Sequence, residues 1–286
     1  MVYQPDAELE KQIAEIAAAA KGKVGVAAVV LETGEAAFLN ADGHYPMQSV
    51  YKLPIAMAVM EQVRLGKLDL DEVIGVTKED MVREGQRSPL RDKSPSGGEY
   101  TIRELIRLAL VESDGTASDV LLRLVSPGDV QSYLTQIGIR DMKVVNTEKE
   151  LGKDWQTQFE NWATPTASVE LLRSFDSSRS HRPEPVEDGL NEADEMFVFM
   201  ATSIPGAKRL MGLLPDKTLV AHKTGTGGTR NGITGATNDI GLIELPNGKL
   251  FAIAVFVSDS PADEKTREAV IAKIAKACWD RWAKKV

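Results

Sequence analysis

The sequence predicts an α+β protein: a five-stranded antiparallel sheet flanked by N- and C-terminal helices, with a second, all-helical lobe. Three observations predict it. Two apolar runs near the N-terminus and three extended segments near the C-terminus are separated by a long, mostly helical stretch. The later strands are joined through Pro246-Asn247-Gly248, a strong hairpin signal. A helical pattern also stands at each end of the chain, where it can cover a sheet built from both groups. Residues 1–47 and 201–286 are therefore expected to form the sheet lobe and residues 48–200 the helical lobe, with the cleft between them as the default place for a site.

Each element has its own signal. Residues 6–20 form an amphipathic pattern that stops at Gly22, and apolar runs 24–31 and 36–39 flank Glu32-Thr33-Gly34-Glu35 as a hairpin. Ser49 stands just before the apolar run 53–63, which reads as a buried helix closing at Gly66. Thr101 and Glu104 make a capping box for a helix that runs to about Glu112. Ser126-Pro127 gives an N-cap followed by proline at the first helical position, with Gly138 as the stop. Thr164-Pro165 opens a helix expected to end before residue 176, because 176–191, rich in Ser, Arg, Pro and Glu, reads as an exposed connection. Extended segments return over 218–222, 238–245 and 249–257, and Ser260-Pro261 is expected to cap a last helix over 262–285.

At 286 residues, 43% hydrophobic and 27% charged, the chain is long and apolar enough for a sizeable core. The formal net charge of −8 argues against nucleic acid and anionic membrane surfaces as partners. Cys278 is the only cysteine, which excludes an internal disulfide, a cysteine zinc site and a redox pair; its apolar helical setting reads as a buried structural thiol. His44, His181 and His222 are scattered without ligand spacing, so no metal and no other cofactor is expected. The N-terminal segment lacks the regions of a signal peptide and no apolar run is long enough to span a membrane, which leaves a cytoplasmic protein or one whose leader has been removed.

Three short motifs carry chemistry. Ser49 and Lys52 are three apart at a helix start, so the amine can share a face with the hydroxyl, and a serine needs a neighbouring base to become a nucleophile. Taken alone, that pair also fits an N-cap serine with a solvated lysine. Ser113-Asp114-Gly115 lies between two helical patterns and by itself fits a simple N-cap. Lys223-Thr224-Gly225-Thr226 ends an extended segment; it fits either a glycine turn or, with Lys223 beside a cleft, an anchor for a carboxylate.

In this order the three motifs mark serine β-lactamases of class A and penicillin-binding proteins, and the chain resembles a class A serine β-lactamase over nearly its full length. Asn161-Trp162, Ala236-Thr237-Asn238-Asp239 and the C-terminal helix add to the likeness, which is nearest to the subgroup with a lengthened Ω-like loop that includes extended-spectrum cephalosporinases. The resemblance implies that Ser49 attacks a β-lactam carbonyl, with the N–H groups of Ser49 and Thr226 as the oxyanion hole. It implies that Lys52, Glu148 through a water, or both take the serine proton, and that Ser113 relays a proton to the leaving nitrogen. Lys223, Thr224, Gly225 and Thr226 would bind substrate, its carboxylate held by Lys223 and Thr224, with Arg209 reaching the same pocket. Glu148 of Glu148-Lys149-Glu150-Leu151-Gly152 would drive water onto the acyl-enzyme, although composition alone does not separate it from Glu150 and Glu160. The family also implies a monomer that is periplasmic or secreted.

Two positions depart from the family pattern. Gly115 and Gly152 stand where relatives carry asparagines, one beside the substrate and the nucleophile's lysine, the other beside the hydrolytic water. Each lost hydrogen bond is worth roughly 1–3 kcal/mol unless another group takes its place, and the replacement is expected from elsewhere in the long loop. A D-alanyl-D-alanine peptidase or penicillin-binding protein, a non-hydrolytic β-lactam sensor domain and a serine esterase remain the competing readings, with Glu148 as the discriminator.

Overall fold

The structure is a computed structural model that describes residues 2–180 and 192–284. The chain opens with a two-residue strand, β1 (Gln4–Pro5), and with Asp6, whose carboxylate accepts the Leu9 N–H and starts α1 (Ala7–Ala17). The predicted hairpin follows as β2 (Lys23–Val30) and β3 (Glu35–Leu39), with Gly34 at φ 77° in its turn. Next come β4 (Tyr45–Pro46), a 3-10 turn over Gln48–Tyr51 and α2 (Lys52–Arg64). The helical lobe also carries an antiparallel hairpin, β5 (Val73–Thr77) with β6 (Gly97–Thr101), and the short α3 (Pro89–Lys93) lies between its strands.

The capping box of Thr101 and Glu104 starts α4 (Ile102–Val111), Asp114 caps α5 (Gly115–Leu124), and Ser126 caps α6 (Pro127–Gln136). A loop holding β7 (Met142–Lys143), α7 (Glu148–Leu151) and β8 (Trp162–Ala163) returns to pair with β4. Beyond it, α8 (Pro165–Ser180) runs through residues 176–180, which were expected to be an exposed connection. The reason is visible at Arg179. It pairs with Asp176 one turn back and with Asp194 of α9 (Glu192–Ala201), and its guanidinium stacks 3.7 Å over the Phe197 ring. His181 and the rest of that connection lie outside the described residues.

The chain closes with β9 (Val220–Thr226), β10 (Thr229–Arg230), β11 (Ile233–Glu244), β12 (Leu250–Ser260) and α10 (Glu264–Ala283). Asp263, not Ser260, caps α10 by accepting the Thr266 N–H at 2.7 Å. Ser260 instead ends β12, and its hydroxyl donates to Ala20 O across the sheet's rim. The five expected strands pair antiparallel in the order β3-β2-β12-β11-β9, and two-residue strands extend the sheet at β1, parallel to β3, and at β10.

Both faces of the central strands are buried, which is why β2 and β12 read as unbroken apolar runs. On one face Val26, Ala28, Ile253 and Val255 pack with Leu9 and Ile13 of α1 and Ile271, Ile274 and Cys278 of α10. On the other, Ala27, Val29, Ala254 and Phe256 join the cluster that extends through α2, α4, α5 and α8. Each large side chain so buried contributes about 1.5–3 kcal/mol. The helical lobe is held against the sheet through α8 on β2 and β12 and through α9 on β9, and the cleft forms along the β9 edge.

Candidate active site

Ser49 lies on the 3-10 turn Gln48–Tyr51, and Lys52 is the first residue of α2. Gln48 has φ 50°, a conformation that costs a non-glycine residue free energy and persists where the surroundings enforce it. Those surroundings are the Met47 N–H, which donates to Asn161 O at 2.9 Å, and the Gln48 side chain, which donates to Gln158 Oε1 at 3.3 Å. Ser49 opens onto a cavity of about 580 Å³ that Ser113, Glu148, Thr224 and Thr226 also line.

The Lys52 amine is 1% exposed, and its hydrogen bonds are the test of the Ser49–Lys52 expectation. It donates to Ser113 O at 2.8 Å and stands 3.4 Å from Glu148 Oε2; Ser49 Oγ is not among its partners. Catalytic hydrogen bonds are commonly loose until substrate binds, so the motif's two members share a site without touching at rest.

Ser113 is what joins the motifs. It sits at φ 57° between the end of α4 and the Asp114 cap of α5, and its two oxygens serve two lysines. Its carbonyl takes Lys52 Nζ, and its hydroxyl accepts from Lys223 Nζ at 2.9 Å. Lys223 is fully buried, and that burial, with the nearby Lys52 charge, pushes its ammonium well below the usual lysine range, against the pull of Asp239 and Glu148. Asp114 is buried as well: it accepts the Ala117 and Leu90 N–H groups at 2.9 and 2.7 Å.

Strand β9 brings the third motif in. A Cβ on Gly225 would stand 2.2 Å from Met47 O, so only glycine lets β9 pass this close to the turn that carries Ser49. Thr226 faces Thr237 across the ladder, and the neighbouring Gly227 N–H goes to Ala236 O. By the alternation of an antiparallel pair, the Thr226 N–H points away from β11, off the free edge of β9. Thr224 and Thr226 line the cavity, whereas Lys223 and Gly225 lie behind its wall. Arg209 also lies behind it. Buried at 4% exposure, it donates to Thr226 Oγ1, Gly225 O and Asn238 O and pairs with Glu268, so it braces the end of β9.

Geometry separates the three glutamates that composition could not. Glu150 completes a capping box with Thr147, and Glu160 accepts from the Asn146 amide. Glu148 alone turns inward, its Oε2 accepting the Tyr51 hydroxyl at 3.0 Å beside Lys52. Burial first, and then the charges of Glu148 and Asp119, raise the Tyr51 phenol well above its usual range, so it remains a neutral donor. The loop is closed at its neck by Asn161, whose amide oxygen accepts the Val145 and Asn146 N–H groups. Asp119 of α5 accepts the Glu148 and Lys149 N–H groups and so fixes the first turn of α7.

The two unusual glycines are both in contact with this assembly. A Cβ on Gly115 would meet Glu148 Cγ at 2.7 Å, and one on Gly152 would meet Gln86 Nε2 at 2.8 Å. Gln86, Asp119, Trp155, Gln158 and Tyr51 were not singled out from the sequence, because their partners are brought near only by folding. The Thr147-x-x-Glu150 capping signature was present, however, and would have removed Glu150 from the candidates.

Known proteins share this chain's sequence and fold along almost its whole length. The model of the beta-lactamase enzyme family matches residues 8–282. Beta-lactamase VEB-1 of Pseudomonas aeruginosa is 36% identical over 278 residues, which is 97% of this chain and 91% of that protein. Extended-spectrum beta-lactamase PER-1 of the same species is 36% identical over 283 residues, 97% of this chain and 88% of its own. Among solved structures, a beta-lactamase from Chitinophaga pinensis superposes with a TM-score of 0.90 at 38% identity, covering 96% of this chain and 99% of that one. The TLA-3 extended-spectrum beta-lactamase superposes at 0.89 with 40% identity, covering 96% and 98%. A likeness of this depth, along almost the whole chain, means that the protein belongs to the beta-lactamase enzyme family and is a class A serine β-lactamase, a hydrolase of β-lactams.

Proposed function

We propose that Ser49 is the nucleophile and Glu148 the base that drives deacylation, in a site that takes penicillins and cephalosporins. Ser49 Oγ bonds to the β-lactam carbonyl carbon, the ring C–N bond breaks, and the serine's proton ends on the departing nitrogen. Ser113 relays that proton, a role supported by the hydrogen bond its hydroxyl accepts from Lys223. The proton leaves Ser49 through Lys52, through a water on Glu148, or through both, since the two groups adjoin each other. The Ser49 and Thr226 N–H groups bind the oxyanion. Thr224 and Thr226 then meet the substrate directly, while Lys223, Gly225 and Arg209 hold the strand that presents them. In the second half, Glu148 takes a proton from water, the water oxygen bonds to the ester carbon, and Ser49 Oγ leaves with the proton.

One observation carries this reading: a carboxylate that no cap or surface ion pair claims faces Lys52 at 3.4 Å on the wall shared with Ser49. Glu148→Ala should lower nitrocefin turnover by roughly 10²–10⁴-fold while acylation persists, leaving a Ser49 adduct visible by mass spectrometry. A Glu148→Ala enzyme that still turns over would sink it. Two of these relatives bear extended-spectrum names, and a cavity of about 580 Å³ that reaches Gln158 and Gly228 supports the entry of bulky cephalosporins here too. We also propose a monomer acting in the periplasm or outside the cell, which gel filtration and cell fractionation would check.

A further inference from the structure

Gln86 comes from the connection between β5 and α3, yet its side-chain amide lies inside the Glu148 loop. Nε2 donates to the peptide carbonyl of Glu148, and Oε1 accepts the Arg83 N–H at 3.1 Å. These two bonds fix the plane of the amide and leave one N–H and one carbonyl lone pair uncommitted. Gln86 lines the same cavity as Ser49 and Glu148. A water held between those two residues for attack needs more than the carboxylate to orient it, since ordered waters make about three hydrogen bonds.

The packing makes this arrangement exclusive. A Cβ on Gly152 would stand 2.8 Å from Gln86 Nε2, 2.9 Å from Cδ and 3.1 Å from Oε1, so the amide fills the volume that any side chain at 152 would need. A Cβ on Gly115 would stand 2.7 Å from Glu148 Cγ and 3.1 Å from Arg87 O, so the Glu148 side chain lies directly over that glycine. The two bare glycines are thus the seats of Gln86 and Glu148.

We propose that Gln86 is a positioning residue for deacylation: its amide fixes the peptide of Glu148 and orients the attacking water, in the volume vacated by Gly152. The inference rests on Glu148 being the deacylation base. The test uses the full-length enzyme with nitrocefin and benzylpenicillin and compares Gln86→Ala, the similarly sized Gln86→Met, Glu148→Ala and Gln86→Ala/Gly152→Asn. Both Gln86 variants should lose about 10- to 100-fold in kcat, the effect of one or two such hydrogen bonds. kcat/KM should stay within about three-fold, and the acyl-enzyme should become the main species by mass spectrometry. The double variant, which returns an amide to the same volume from the opposite side, should recover most of the lost kcat. A merely structural role would lower kcat and kcat/KM together and give no rescue, and that result overturns the proposal. If Glu148→Ala accumulates adduct while the Gln86 variants turn over normally, this inference falls and the base assignment stands. If Glu148→Ala does not accumulate adduct, the base assignment falls and this inference with it.

Discussion

Asp119 accepts the Glu148 N–H at 2.6 Å and the Lys149 N–H at 3.1 Å, so both of its oxygens are committed to the first turn of α7. Burial outweighs those bonds and raises its carboxyl from 3.8 to about 6, with the Glu148 charge adding to the rise and Lys52 opposing it. Because the folded protein binds this proton more tightly than the unfolded chain, the ionised group disfavours folding above about pH 6. That cost is relieved as pH falls through 6 toward 4. The gap corresponds to about 3 kcal/mol at most, less what solvent screens at a group that keeps some exposure. Asp119→Asn has no such titration. On acidification from pH 7.5 to 4.5 the wild type should therefore gain melting temperature relative to Asp119→Asn. A wild type that loses ground over that range would contradict the raised value. Activity should move the other way: protonation puts a hydrogen against one of the two N–H groups, and kcat should fall as the turn that carries Glu148 loosens.

At the scale of elements, strand β9 and the Ser49 turn are held together by the absence of a side chain. Gly225→Ala would place a methyl 2.2 Å from Met47 O and 3.2 Å from Asn238 Nδ2, and the nearer of these is backbone that cannot rotate away. Either β9 or the turn must shift, which parts the Thr226 N–H from the Ser49 N–H. Overpacking of this kind costs about 1–3 kcal/mol. Loss of one oxyanion donor costs roughly 10²–10³ in rate. Gly225→Ala should accordingly acylate about 100-fold more slowly in stopped-flow mixing, with an unchanged far-ultraviolet spectrum; normal acylation would refute this role. The elements themselves were largely legible. β2 and β12 announce themselves as apolar runs because both of their faces are covered, and Thr101 and Ser126 cap where their sequences say. The helix does not end at residue 176 because Arg179 pairs with Asp194 and stacks on Phe197, partners that no local pattern reveals. The site was legible in the same uneven way. Ser49, Lys52, Ser113 and Lys223 come from motifs with fixed spacing. Gln86 and Asp119 reach Glu148 from 62 and 29 residues away, so nothing in the spacing ties them to it.

For the whole molecule, the question is whether the two hydrophobic clusters unfold together. They are not separate bodies: alternate residues of β2 and β12 point into each, Val26 and Val255 into one, Ala27 and Ala254 into the other. The site adds cross-links to the sheet, from Lys223 to Ser113 between α4 and α5 and from Asn238 to Pro46 O of β4 at 2.7 Å. Stripping either layer from the sheet would expose a full apolar face of its central strands, at about 25 cal/mol for each Å². An intermediate with one lobe melted is therefore costly, even though chains of this length often populate one. Cys278 gives a clean reporter for the far layer. It is the only cysteine, it is fully buried on the face of α10 that packs on the sheet, and burial pushes its thiol far above the usual range, so the folded protein should not react with a thiol reagent. Turnover of nitrocefin reports the cleft on the opposite side of the sheet. In a urea titration the loss of turnover and the labelling of Cys278 should share one midpoint. If turnover disappeared at a clearly lower urea concentration than the thiol became reactive, the helical lobe would be melting off an intact sheet, and the shared core would not be what couples the two layers.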